Sequence, residues 1–323
     1  LSSSSAASDV YKRQLNNNFG LTAAFLDSRF NLSFDFYSNT TYDMLMSVNL
    51  PPSVGTTSMN VNFGQLNNKG LDLSLSAQII RNKDWFWSMT LTGGHVMDQI
   101  RKISQGLKND IDNPYDSSKP KILFVEGGSQ YDIYAMRSAG IDPATGKEIF
   151  IKKNGEYTFN YDEKERVAVG NTNPILQGSL MNTLRYKGFS ISVATSYTFG
   201  SDYFNSTLKN KVENIDLNYN VDRRVFTDRW KEPGDHTRFL GIGTSSSSSQ
   251  YSERFVEKRN ELYISSIQVM YDFAPKAITR LGLRKLAIGF GLSDIAHIST
   301  VKFERGTEYP YCRGINLIFR PTF

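Results

Sequence analysis

Cysteine is almost missing. Cys312 is the only one among 323 residues, so an internal disulfide is excluded and a cysteine-built metal site has no basis. No run of about eighteen apolar residues occurs, which excludes a transmembrane helix. A membrane-spanning strand is not excluded, because barrel strands alternate apolar and polar residues. Charge of one sign is not concentrated: 37 Lys+Arg against 32 Asp+Glu gives +5, and no basic block offers a nucleic-acid stripe. The three histidines, His95, His236 and His297, lie in separate segments without H-x-x-x-H or H-E-x-x-H spacing, so no zinc site is legible. G-x-S-x-G is absent, and nothing pairs a nucleophile with a base. No catalytic, metal or cofactor site is expected.

What is present is period-2 alternation. In Phe189–Phe199, Phe189, Ile191, Val193, Tyr197 and Phe199 share one parity with Thr195, against Ser190, Ser192, Ala194, Ser196 and Thr198. Leu286, Ile288, Phe290 and Leu292 oppose Ala287, Gly289, Gly291 and Ser293. Tyr263, Ile267, Val269, Tyr271 and Phe273 are read onto one oily face, as are Leu71, Leu73 and Leu75, and Ile315, Leu317, Phe319 and Phe323. Each pattern describes a strand with a large apolar face and a small polar one. Helical periodicity is weak outside Leu208–Trp230.

Connections alternate in length. Asp27–Arg29, Arg81–Asp84 and Lys187–Gly188 are tight, whereas Asn39–Asn68, Asp98–Gln130 and Ser201–Glu257 are long and polar. Short turns on one side and long loops on the other describe a membrane barrel. Counting strands from both ends requires an odd number of crossings between Asp98 and Lys187. Tyr131–Ile141, Glu148–Lys153 and Ile175–Tyr186 then join the sheet, giving about eleven antiparallel, up-and-down strands. A soluble β-sandwich would show charges on its second face; here that face is Ser, Gly, Ala and Thr, which suits a wide lumen. The oily residues, Ile191, Val193, Tyr197, Ile267, Val269, Tyr271, Leu286, Ile288, Phe290, Leu317 and Phe319, are therefore expected to project outward and be exposed.

Leu1–Gln14, LSSSSAASDVYKRQ, reads as Ser-rich filler whose DVYKRQ portion looks like a translated transposase adapter. It is expected to be non-native and to pack against nothing, leaving residues 15–323 as the protein proper. Asp110, Asp112, Asn113 and Asp116 fail the EF-hand pattern, with no sixth-position Gly and Lys121 at the twelfth, and read as a solvated loop. Ser245–Ser249 is a low-complexity tip, and Cys312 a small strand residue. Trp230 either stacks on a substrate or lid, or anchors its own loop by apolar burial.

Six stretches, in order, resemble the SusC/RagA family of TonB-dependent outer-membrane transporters. They are GQLNNKGLDL (Gly64–Leu73), AGIDPATG (Ala139–Gly146), GNTNPILQGSLMNTLRY (Gly170–Tyr186), DRWKEPGDHT (Asp228–Thr237), LYISSIQVMYDFAP (Leu262–Pro275) and YPYCRGINLIFRPTF (Tyr309–Phe323). Asp72, Ser138 and Ser265 depart from the family's usual Glu, aromatic and Arg. The resemblance implies an all-β transmembrane barrel of about 22 strands, of which residues 15–323 are the C-terminal half, open along both edges. It implies a plug reached by TonB, a SusD-like lipoprotein lid, oligosaccharide or peptide cargo, and the outer membrane of a Bacteroidota cell. It also implies a terminal aromatic, here Phe323, read by the outer-membrane insertion machinery. Two other functions stay open at this point: an outer-membrane barrel enzyme, and a secreted soluble glycan-binding β-protein.

Overall fold

The computed structural model describes residues 12–49, 58–103, 124–215, 218, 220–243, 251–278, 282–302 and 312–323. The acidic loop at Asp110–Asp116 and the serine tip lie outside them. Fourteen strands form in chain order: β1 Arg13–Phe25, β2 Phe30–Asn49, β3 Ser58–Arg81, β4 Trp85–Ile103, β5 Asp132–Ala135, β6 Arg137–Ile141, β7 Glu148–Ile151, β8 Tyr157–Thr158, β9 Val167–Asn171, β10 Leu176–Tyr186, β11 Phe189–Phe204, β12 Val256–Asp272, β13 Lys285–Ser299 and β14 Gly314–Thr322. Nine of them make one antiparallel sheet in the order β1-β2-β3-β4-β10-β11-β12-β13-β14. Every neighbour in it is the next strand in sequence except β4 and β10, between which β5–β9 form two small separate sheets. β1 and β14 are the two edges.

The sheet therefore holds nine strands rather than eleven. Tyr131–Ile141 and Glu148–Lys153 belong to the small sheets. Removing two crossings at once leaves the up-and-down parity unchanged, so counting sides could not detect the error. The expected Asn39–Asn68 loop is largely strand: β2 and β3 stay paired out to Asn49↔Ser58. At 24 residues β3 is about 80 Å long at the usual rise, far more than the ~10 residues that cross a bilayer, so this hairpin projects well beyond it. Arg13 and Gln14 pair with Tyr42 and Thr41, so the expectation that the first fourteen residues pack against nothing fails there. Residues 1–11 lie outside the described ones.

Register places whole rows of one chemistry side by side. Trp87, Leu184, Ile191, Val269, Phe290 and Leu317 are successive partners, and so are Trp85, Tyr186, Phe189, Tyr271, Ile288 and Phe319. The opposite face carries Thr22, Ser33, Ser74, Thr92, Ser179, Ser196, Tyr263 and His297 in one row. Hydroxyls link across it, Thr92 to Ser179 at 2.8 Å and Ser76 to Thr90 at 3.2 Å. Tyr263 is thus on the hydroxyl face, not the oily one. A bulge between Ile264 and Ser266 inserts an extra residue and reverses parity along β12.

Among the described residues no second sheet covers the oily face. Ile191, Ile288, Phe290, Leu317 and Phe319 are exposed, and Val193, Tyr197, Ile267, Val269 and Tyr271 half-buried. Leu286 is the exception and is buried, because the connection after β12 carries a short helix, Pro275–Ile278, that packs against β13. An aqueous fold does not leave such a band uncovered. No helix among the described residues is long and apolar enough to cross a membrane, which says nothing of strands.

Apolar packing concentrates instead beyond the far end of the sheet. Leu208, Val212, Phe239 and Phe255 form a buried cluster with Phe204 against it. The weak helical signal over Leu208–Trp230 resolves into short turns, Ser206–Leu208, Lys209–Glu213 and Arg224–Thr227.

Candidate functional site

Two surfaces carry chemistry: the hydroxyl face of the sheet and the platform at its outer end. On the first, Gly20, Asp35, Asp72, Gly94, Gln177, Thr198, Glu261 and Ser299 are successive register partners. Part of this row floors a shallow hollow of about 560 Å³ lined by Asp35, Asp72, Ser74, Thr92, Gln177 and Thr198, among others. Asp35 and Asp72 stand directly opposite each other, which repels. They lean apart: Asp35 Oδ1 fills the space a Cβ on Gly20 would need, and Asp72 Oδ1 that of a Cβ on Gly94. Further along, His297 Nε2 contacts the Glu261 carboxylate, and its ring meets Tyr263 edge-on at 5.7 Å. Such a wall offers hydroxyls, amides and carboxylates at a spacing set by the strands. It can hydrogen-bond a polar solute.

The platform is built from segments far apart in sequence. Arg254 stands at its centre, with Nη2 2.7 Å from Glu148 of β7 and Nη1 2.7 Å from Glu213. All three side chains are at most 6% exposed. Burial works against the Arg254 charge, but the bonds to Glu148 and Glu213 outweigh it and its pKa is raised. Ser252 donates to Glu148, and the Leu240 N–H donates to Glu213 at 3.1 Å. Arg229, also buried, donates to the carbonyls of Leu240 (2.6 Å), Val212, Glu213 and Gly241 (each 3.1 Å). Desolvation lowers the Arg229 pKa. Arg254 thus meets two buried carboxylates and Arg229 four main-chain carbonyls, while Arg254 Nε is buried without a hydrogen-bond partner.

A clasp joins two of the sequence motifs. In DPATG, the Asp142 carboxylate accepts from the Thr145 hydroxyl at 2.6 Å and the Ala144 N–H at 3.1 Å, which lowers its pKa. Gly146 turns the chain with φ +67°, and the Trp230 ring lies where its Cβ would be, 2.4 Å from that position. The Trp230 indole N–H donates to Pro143 O at 2.9 Å, and the Gly234 N–H bonds the same carbonyl. One ring face and the indole nitrogen of Trp230 are therefore committed to the clasp.

Phe323 lies just past β14 and is 80% exposed on the oily parity. His95 faces Pro174 O, His236 is exposed and Cys312 is free and exposed. Among the described residues no three His, Cys, Asp or Glu side chains converge as a metal set. The platform triad was missed in the sequence because its members are up to 106 residues apart. The clasp had a signal, since both halves are motifs, but nothing in the sequence said that they meet.

Comparison with known proteins gives a consistent result. The family model "TonB dependent receptor-like, beta-barrel" matches residues 12–215. TonB-dependent receptor P39 of Formosa agariphila is 24% identical over 88% of this chain and 32% of its own length. TonB-dependent receptor SusC of Bacteroides thetaiotaomicron is 25% identical over 79% of this chain and 25% of its own. The chain spans about a third or less of these relatives. Among solved structures, the RagAB peptide transporter superposes with a TM-score of 0.75 at 23% identity, covering 90% of this chain and 32% of that one. This last likeness establishes the fold.

Proposed function

This chain belongs to the TonB-dependent receptor-like β-barrel family, and from that premise we propose that it forms part of the wall of an outer-membrane importer of oligosaccharides or peptides. The observation that carries the reading is the division of one sheet into apolar rows on one face and hydroxyls, amides and carboxylates on the other, with no second sheet packed on the apolar face among the described residues. The apolar rows meet lipid and the hydroxyl rows a wet lumen. The wall makes and breaks no bonds, in keeping with relatives that are named as receptors. Energy is supplied through TonB acting on the part of the protein's length that lies outside this chain.

In this reading the platform faces the cell exterior and carries the surface on which a SusD-like lipoprotein closes. Trp230 serves that surface by holding the clasp, and its remaining exposed edge is what a lid or cargo can touch. The likeness to the RagAB peptide transporter supports peptide cargo, and oligosaccharide cargo follows from the family resemblance of the sequence motifs. Phe323 acts as the residue by which the insertion machinery reads the last strand.

The test is uptake. Deleting the gene for the full-length protein should abolish accumulation of one class among labelled oligosaccharides and peptides, and complementation should restore it only where TonB is functional. Uptake of every class unchanged by the deletion refutes import. Phe323→Ser in the full-length protein should lower the amount inserted in the outer membrane several-fold; normal insertion removes its assembly role.

A further inference from the structure

Both ends of the sheet carry cations. At the platform end several are paired: Arg254 with Glu148 and Glu213, Lys258 with Asp202, Arg238 with Glu257, Arg224 with Asp222. At the other end, the turns after β3, β10 and β12 carry Lys83, Lys187, Lys276 and Arg284, with Lys285 opening β13, all exposed, against Asp84 and the last residue of β12, Asp272. None of these five cations enters an ion pair among the described residues.

Directly above these turns runs an aromatic row on the oily face. Trp85, Tyr186, Phe189 and Tyr271 are consecutive register partners, with ring centroids 4.2 Å apart for Trp85–Tyr186 and 4.5 Å for Phe189–Tyr271. Phe273 continues it, 4.9 Å from Tyr271. Such belts sit at headgroup depth. Lys187 Nζ reaches back over the Tyr186 ring at 5.2 Å, which holds one cation at the level of the row. Short connections mark this end as periplasmic.

We propose that this rim binds the phosphodiester of anionic phospholipids, phosphatidylglycerol or cardiolipin, in the periplasmic leaflet. The inference rests on the membrane-barrel reading and adds a headgroup preference to it. Cations at the turn rim, beyond the aromatic belt, lie where the phosphates of the leaflet lie; Lys83, Lys187, Lys276 and Arg284 stand in the connections themselves, and Lys285 shares the hydroxyl-face parity of Ala287. A zwitterionic lipid offers the same phosphate with its own ammonium competing for it, so anionic lipid is preferred. Salt weakens the preference, because the rim remains open to water.

The experiment uses the full-length protein in detergent micelles, titrated with phosphatidylglycerol or phosphatidylethanolamine and read by native mass spectrometry. Wild type should retain phosphatidylglycerol over phosphatidylethanolamine by about tenfold. The variant Lys83→Gln, Lys187→Gln, Lys276→Gln, Arg284→Gln, Lys285→Gln should retain them nearly equally. All five are exposed, so the barrel should still form; heat-modifiable migration of both proteins checks this and tests the barrel reading separately. Equal retention by wild type, or an undiminished preference in a correctly folded variant, overturns the proposal. So does a variant that keeps its lipid preference but loses a co-purifying periplasmic protein, which would assign the rim to that partner.

Discussion

The nine-stranded sheet and the outer platform are made of the same chain by opposite rules. In the sheet, large apolar residues stand uncovered, Leu317 at 81% and Phe319 at 62%, while the opposite face carries hydroxyls and the carboxylates of Asp35, Asp72 and Glu261. In the platform, Phe255, Met136 and Val212 are fully buried, and so is a network of two arginines and two glutamates. The platform is stabilised as a water-soluble domain is, by removing apolar area from water at about 25 cal/mol per Å². The sheet removes little on its own and requires a second, apolar solvent. Stability measured for the whole protein is therefore two quantities that can be changed separately.

The largest expected effect falls on the platform. Arg254→Met leaves Glu148 and Glu213 buried without their cation and should cost about 3–5 kcal/mol locally. Hydrogen exchange of the full-length protein in micelles should speed up across 206–213 and 251–255 while β10 to β12 below it stay protected. Equal loss of protection in the strands would show that platform and sheet unfold together. The sheet is tested by neighbouring residues of opposite parity. Val269→Arg places a cation on the lipid face and should cost about 2–4 kcal/mol near the midplane, seen as reduced insertion. Gln268→Arg, one residue away on the hydroxyl face, should insert normally; equal behaviour of the two would end the two-solvent distinction.

A smaller change sharpens the clasp. Trp230→Phe keeps a ring over Gly146 but loses the hydrogen bond to Pro143, and should cost about 1 kcal/mol. Faster protease cleavage near Asp142–Gly146 in the outer loops is the measurement. The smallest effect is one of pH. The Arg224 guanidinium holds the Asp222 carboxyl at about 2, below its usual 3.8. A depressed carboxylate stabilises the fold above its unfolded pKa, and that contribution fades as pH falls from about 4 through 2. Pepsin cleavage around 220–228 should rise over that window in wild type, and less steeply in Asp222→Asn, which has no proton to take up. Arg254 works the other way: its raised pKa keeps its contribution intact throughout the neutral range.

Legibility followed the same division. Alternation in Phe189–Phe199 and Leu286–Ser293 showed strands and faces directly, because a period of two survives wherever one side meets lipid and the other water. It failed at Tyr263, where one bulge reversed parity, and at Leu286, where a turn long enough to hold a helix covered the strand. It failed more fully at EIFIKK, whose alternation is real but serves a small outer sheet. The family motifs named the pieces of the clasp without showing that Trp230 and Gly146 touch. Arg254, Glu148 and Glu213 left no local trace, since a buried charge looks like any surface charge until its partners arrive.

One ring on the lipid side bears on how the protein is assembled. Tyr197 lies across Gly178 and Gly93, and its hydroxyl bonds Thr92 O at 2.7 Å, spanning β11, β10 and β4. A Cβ on Gly178 would sit 1.9 Å from Thr92 O, so no other residue fits beneath the ring without displacing it. Tyr197 and Gly178 are neighbours within the β10–β11 hairpin, whereas β4 is separated from β10 in sequence by the whole outer insertion. A one-residue slip of β4 turns each of its side chains to the wrong solvent, and a two-residue slip, which preserves the faces, puts side chains where the glycine stands and ejects the ring. The native register of β4 is thus the one in which the Tyr197 ring has two glycines beneath it, a constraint that hydrophobic pattern alone does not impose.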